Sequence, residues 1–172
     1  MDFFELVSQR ESIRSYDPQR FVDEETLERI LVAGHLAPSA ANRQPWEFLV
    51  IRSQAALDRI RSCYVAPWFQ DAPQVLAVVG CWEQAWVRSG DGYCSLETDL
   101  AIAMDHMILA AEAEGIATCW IADFNPAQIC EALDLRAGHK IFAITPLGYP
   151  RPGFVRKERK SRKRLEAIVR FQ

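Results

Sequence analysis

Two arginines with a hydroxyl between them, Arg10, Ser12 and Arg14, are the first residues whose types and spacing could do chemistry. A guanidinium grips a phosphate or carboxylate through a planar fork of donors, so a close pair flanking a hydroxyl suits an anion. A second segment, Pro38-Ser39-Ala40-Ala41-Asn42-Arg43-Gln44-Pro45-Trp46, lies between an expected helix and an apolar strand. Its Ser, Asn and Gln side chains offer both donors and acceptors, the set needed to read the edge of a planar heterocycle. Together the segments order hydrogen-bonding groups around something anionic and planar. The plainer alternatives are two surface arginines paired with Glu11 or Asp17, and a loop whose polar groups bond their own backbone. A third feature is the basic stretch from Arg156 to Arg164, in which seven of nine residues are Lys or Arg. It reads either as a solvated tail or, in part, as a return to the core to bind a phosphate.

Composition narrows the classes. With 172 residues, 49% hydrophobic and 25% charged, the chain has the profile of one soluble globular domain over residues 1–172. A net charge of −3 provides no overall field toward nucleic acid or membrane, and neither is expected as a partner. No apolar run is long enough to span a bilayer. The cysteines at 63, 81, 94, 119 and 130 are odd in number and form no Cys-x-x-Cys pair. That is a poor disulfide framework and a poor zinc site, so a reducing cytoplasm and no bound metal are expected. Residues 1–5 lack the basic and apolar regions of a signal peptide. Cys119, inside an apolar run, reads as an inert core thiol rather than a nucleophile.

The elements that must position these residues follow from periodicity and caps. Asp2 caps a short amphipathic helix carrying Phe3, Phe4, Leu6 and Val7. A second helix is predicted over 23–36 and is stopped by Pro38, because the residue before proline is pushed out of the α region. Residues 46–51 form a strand and 54–64 a helix. Pro67 and Pro73 bracket a loop holding Trp68 and Phe69, and 75–79 is a strand buried on both faces. Residues 83–91 read as a loop or poorly ordered helix. A long, alanine-rich helix spans 96–114 and ends at Gly115. A strand is expected over 116–121, a helix over 127–133 behind the Asn125 cap and Pro126, and a strand over 140–147. The tail carries apolar Leu165, Ile168, Val169 and Phe171 with no partner of their own, which points to dimerisation. Alternating strands and helices argue for an α+β or α/β sandwich around a central sheet.

These segments resemble the FMN-dependent nitroreductase family. Its members follow a short first helix with Arg-x-Ser-x-Arg/Lys-x-aromatic, here Arg10, Ser12, Arg14 and Tyr16. They then carry Pro-Ser-x-x-Asn-x-Gln-Pro-Trp, matched at Pro38, Ser39, Asn42, Gln44, Pro45 and Trp46. The run from Gly115 to Ile121 is similar to the family's Gly-Leu-Gly-Thr-Cys-Trp-Ile, and Asp99 with His106 matches a pattern of its short members. The resemblance implies that Arg10 and Ser12 contact the phosphate and ribityl chain of FMN, with Arg14 near N1 and O2 of the ring. It implies that the loop of Pro38, Ser39, Asn42 and Gln44 reaches a flavin bound mainly by the other subunit. A backbone N–H at Ala122 or Asp123 would face N5, and Lys160 and Arg162 would hold the phosphate. There is one departure. Val65 and Trp68 stand where larger members have an Asn and a Lys on the pyrimidine edge, so contacts there, and the flavin potential, must differ.

The implied fold is α+β, a three-layer α-β-α sandwich with a mostly antiparallel central sheet in an intertwined homodimer. The implied activity is ping-pong hydride transfer through flavin N5, from NADH or NADPH to a small acceptor such as a nitroaromatic or a quinone. No Gly-x-Gly-x-x-Gly occurs, so the nicotinamide would bind only transiently over the flavin. Flavin fragmentation, reductive dehalogenation and flavin storage without turnover stay open as alternatives.

Overall fold

The computed structural model describes residues 2–156 and 160–172; Met1 and, within the basic stretch, Lys157, Glu158 and Arg159 lie outside the described residues. Helix α1, Phe3–Gln9, begins with a capping box in which Asp2 accepts the Glu5 N–H and Glu5 accepts the Asp2 N–H. Helix α2, Glu24–His35, is capped by Asp23 on the Thr26 N–H. Strand β1 (Trp46–Ile51), helices α3 (Gln54–Cys63) and α4 (Pro67–Gln70) and strand β2 (Gln74–Cys81) follow. Helix α5 is Leu96–Ala113, α6 is Pro126–Ala132 behind Asn125, and β3 is His139–Leu147.

The strands form an antiparallel sheet in the order β1-β2-β3, with Phe48 opposite Val78 and Val78 opposite Ala143. One extra residue on β3, Phe142, sits across the Val78–Val79 step as a bulge. Because side chains alternate, the sheet presents two faces. Leu76, Val78, Ala143 and Leu147 pack with α2 and α5, while Val75, Ala77, Val79, Ile141 and Ile144 pack with α3, α4 and α6. The result is the expected α-β-α layering. Helices α2 and α5 approach closely at Gly34, where an added Cβ would come within 2.6 Å of Met107 Cγ.

Two sequence expectations need correction, at residues 116–121 and 67–70. The strand expected over 116–121 is not a continuous strand: it touches the β3 side only at the bridges Ala117–Gly148 and Ile121–Ile144. The register of those bridges sets Cys119 opposite Pro146, which has no N–H to give. A proline there offers the Cys119 carbonyl no donor; the Cys119 N–H donates to Thr145 Oγ1 at 3.1 Å, and the Thr118 carbonyl accepts from Ile13 N–H at 2.8 Å. Residues 67–70 form α4 rather than loop, since Pro67 occupies the first helical turn where its missing N–H costs nothing. The 83–91 region holds a short turn at Trp82–Gln84 and an antiparallel bridge from Val87 to Cys94.

Among the described residues, no helix is long and apolar enough to cross a membrane, and no group of three His, Cys, Asp or Glu could hold a metal.

Candidate functional site

The segment from Arg10 to Tyr16 leaves α1 without regular secondary structure and is pinned from both sides. Ile13 donates to Thr118, and Asp17 N–H donates to the Tyr149 carbonyl at 2.9 Å. Tyr16 is fully buried and its hydroxyl donates to the Ile13 carbonyl at 2.7 Å. Burial pushes that hydroxyl well above the ordinary tyrosine range, so it stays a donor. With Ile13 and Tyr16 turned into the core, the side chains of Ser12 and Arg14 fall on the other side of the segment.

There they meet the tail. A cavity of about 480 Å³ is lined by Arg10, Glu11, Ser12, Arg14, Lys160, Ser161 and Arg162. Four cations thus surround one space with a single carboxylate, Glu11. Lys160 also donates to the Val7 and Arg10 carbonyls at the end of α1, and Arg162 donates to the Ser161 carbonyl. Burial first, and then Arg10 and Arg162, hold the Lys160 ammonium below the ordinary lysine range. Like charges held this close call for an anion.

An aromatic wall borders this space. The Arg14 guanidinium lies 5.7 Å from the Trp68 ring centre, a cation–π arrangement. Trp68 stacks on Tyr16 at 6.4 Å and meets Tyr64 edge-on at 5.8 Å. Burial is the main cause that pushes the Tyr64 hydroxyl above the ordinary tyrosine range, and Ala122 and Asp123 are exposed. Cys119 lies beneath: burial pushes its thiol up, outweighing the pull of Arg14 and Ser12. It has no thiolate character to offer.

The second motif lies elsewhere in the protomer. Ser39 Oγ accepts the Gln44 N–H at 2.9 Å, and Gln44 Nε2 donates to the Asn42 carbonyl and side-chain oxygen. Ala41, Asn42 and Gln44 all adopt the left-handed backbone region, with φ of 51°, 53° and 50°. Such strain persists only where surroundings impose it, and it clusters at functional sites. The anchor is Asp99, buried on α5, whose Oδ1 accepts the Ala40 N–H at 2.9 Å. Pro38 is exposed, and Gln44 opens onto a separate cleft of about 510 Å³ with His35, Trp46 and Phe48. The structure therefore brings Arg10, Ser12, Arg14, Lys160 and Arg162 together, while Ala122 and Asp123 do not line that cavity. It does not bring Pro38, Ser39, Asn42 or Gln44 into that cavity within one chain.

Sequence reasoning missed two residues. Glu112 is buried near the end of α5 and pairs with Arg156 at 2.8 Å. Its spacing of four from buried Ile108 was the available signal. In sequence, Trp68 reads as a loop residue that replaces a polar one, and nothing local pairs it with Arg14.

A profile of the Nitroreductase family matches residues 7–74 and 61–149. A protein of Methanothermobacter thermautotrophicus, provisionally named NADH dehydrogenase/NAD(P)H nitroreductase, is 30% identical over 155 residues, covering 87% of this chain and 78% of its own. The crystal structure of a nitroreductase family protein from Clostridium difficile superimposes with a TM-score of 0.91 at 32% identity, over 100% of this chain and 99% of that one. A Desulfovibrio desulfuricans structure, described provisionally as a nitroreductase and solved in complex with FMN, gives a TM-score of 0.81 at 26% identity, over 98% and 95%.

Proposed function

The chain belongs to the nitroreductase family, and from that premise we propose that it is an FMN-dependent oxidoreductase that uses NADH or NADPH to reduce a small acceptor. The observation that carries this reading is the convergence of Arg10, Ser12, Arg14, Lys160 and Arg162, far apart in sequence, on one cavity.

The donor set fits FMN. A phosphate monoester carries about −1.5 to −2 charges near neutrality and has three acceptor oxygens. Arg10, Lys160 and Arg162 supply the opposing charge, and the Ser12 hydroxyl can donate to phosphate or ribityl oxygen. Arg14 has a different partner. Its guanidinium is held over Trp68, so it presents a fixed positive charge at the border between the cationic cavity and the aromatic wall. That is the place for the ring edge at which negative charge gathers. Trp68 thereby orients a cation where larger family members use polar side chains directly. Backbone N–H groups at Ala122 and Asp123 are the proposed donors toward N5. When bound, FMN supplies two-electron transfer between a nicotinamide and an acceptor such as a nitroaromatic or a quinone.

The Pro38–Gln44 loop completes the site from a second protomer. Its separation from the cationic cavity within one chain supports that reading, as do the exposed apolar residues of the tail, where Phe171 is 94% exposed. Two sites per homodimer follow.

An anaerobic titration of the purified protein with NADH and with NADPH tests the function. The visible flavin band is expected to bleach within seconds with at least one of them and to return on adding a quinone or nitroaromatic. A colourless protein that takes up no added FMN refutes the proposal. A yellow protein that neither nicotinamide bleaches moves flavin storage ahead of turnover.

A further inference from the structure

The tail cations reach the cavity because something holds the tail there. Helix α1 has no basic residue in its own last turn, so its C-terminal carbonyls, which carry partial negative charge, lack a local counter-charge. Two tail residues supply it. Arg156 Nη1 donates to the Gln9 carbonyl at 3.3 Å, and Lys160 Nζ donates to the Val7 and Arg10 carbonyls. One further contact selects this position over others along α1. The Glu112 carboxylate, 3% exposed on the last turns of α5, meets Arg156 Nη1 at 2.8 Å. A buried carboxylate without a cation is costly, so Glu112 acts as a fixed socket for one guanidinium. Arg156 itself is 38% exposed and could find water if the socket were removed.

We propose that Glu112 and Arg156 are positioning residues for phosphate recognition: their ion pair docks the tail on α1 and α5, so that Lys160 and Arg162 face the anion. The inference rests on the proposed flavin reading. Neither residue lines the cavity, so neither touches the phosphate. Breaking the pair lets the tail cations leave while Arg10, Ser12, Arg14 and the aromatic wall stay in place.

The experiment compares FMN with riboflavin, which lacks the phosphate. Apo-protein of wild type, Glu112→Gln and Arg156→Gln is titrated with each ligand by flavin fluorescence. Glu112→Gln preserves volume and leaves no buried charge; Arg156→Gln breaks the pair from the exposed side and serves if the first variant folds poorly. In the folded variants FMN affinity is expected to fall at least about tenfold, the scale of one charge-assisted hydrogen bond. Riboflavin affinity stays within about twofold, and Arg156→Lys recovers part of the FMN loss. Equal losses for both ligands reveal a merely structural pair and overturn the inference, as does an unchanged FMN affinity. A wild-type protein that does not prefer FMN over riboflavin overturns the phosphate assignment itself, and the inference with it.

Discussion

Replacing Asp99 with alanine tests how the strained 39–44 loop is held. The Asp99 side chain, 2% exposed, accepts the Ala40 N–H at 2.9 Å on one oxygen and the Ser95 hydroxyl at 2.8 Å on the other. A hydrogen bond to a charged group contributes about 1.5–3 kcal/mol net, so the pair contributes roughly 3–6 kcal/mol. Removing the carboxylate also removes its own desolvation cost, which leaves an expected loss of about 2–4 kcal/mol. In a chain of this length that lowers the melting temperature by roughly 5–15 °C. Asp99→Asn keeps the volume and one acceptor, and the Ser95 hydroxyl can rotate to accept from its amide, so this variant loses only about 1 kcal/mol. Once the anchor is gone, the left-handed backbone at Ala41, Asn42 and Gln44 relaxes, and the loop becomes a preferred site of proteolytic cleavage. Urea and thermal melts with limited proteolysis read all three effects. An alanine variant that melts within about 2 °C of wild type, or an asparagine variant as damaged as the alanine one, refutes the reasoning.

Three further outcomes are expected. Gly148→Ala drives a Cβ to 2.8 Å from Pro73 Cδ, a ring that cannot rotate away, and should cost about 1–3 kcal/mol in urea unfolding. Gly34→Ala, which meets mainly the flexible end of Met107, should cost less. Because burial and neighbouring arginines depress the Lys160 pKa, the folded apo-protein releases that proton earlier than the unfolded chain does. The lysine's contribution to stability therefore rises with pH between its depressed value and the ordinary 10.5, while FMN affinity falls through the same window; titrations of FMN against riboflavin across alkaline pH check the sign. Cys119, buried with a raised thiol pKa, should react with iodoacetamide only after the four half-buried cysteines, as read by mass spectrometry of partly labelled native protein.

Tyr16 and Trp68 show how one aromatic cluster serves both core and site. Tyr16 belongs to the buried group with Ile13, Ala72 and Ala117, and Trp68 covers that group while turning its ring toward Arg14. The packing that stabilises the fold therefore also fixes the direction of a charge, and the exposed face of Trp68 is a sensitive place to change the electronic environment of whatever binds there. Trp68→Leu keeps the apolar cover but removes the π-face, which separates the two roles.

Features governed by neighbours three or four residues apart were legible in the sequence alone. The Asp2 and Asn125 caps, the helix stop before Pro38 and the buried run of β2 all depend on local backbone groups and side-chain alternation. The types and closeness of Arg10, Ser12 and Arg14 also suggested an anion site, since two guanidinium forks flank a hydroxyl. Only the tertiary structure decided what depends on pairing between distant segments. The strand expected over 116–121 breaks because Pro146 falls opposite Cys119, and no local pattern states that register. Lys160 reaches α1 across 150 residues, and Arg156 finds Glu112 on α5. The left-handed turns of the 39–44 loop follow from a carboxylate on another helix, not from glycines in the loop. Local propensity acts through a few bonds of the same chain, whereas charge, register and burial are settled only when remote surfaces meet.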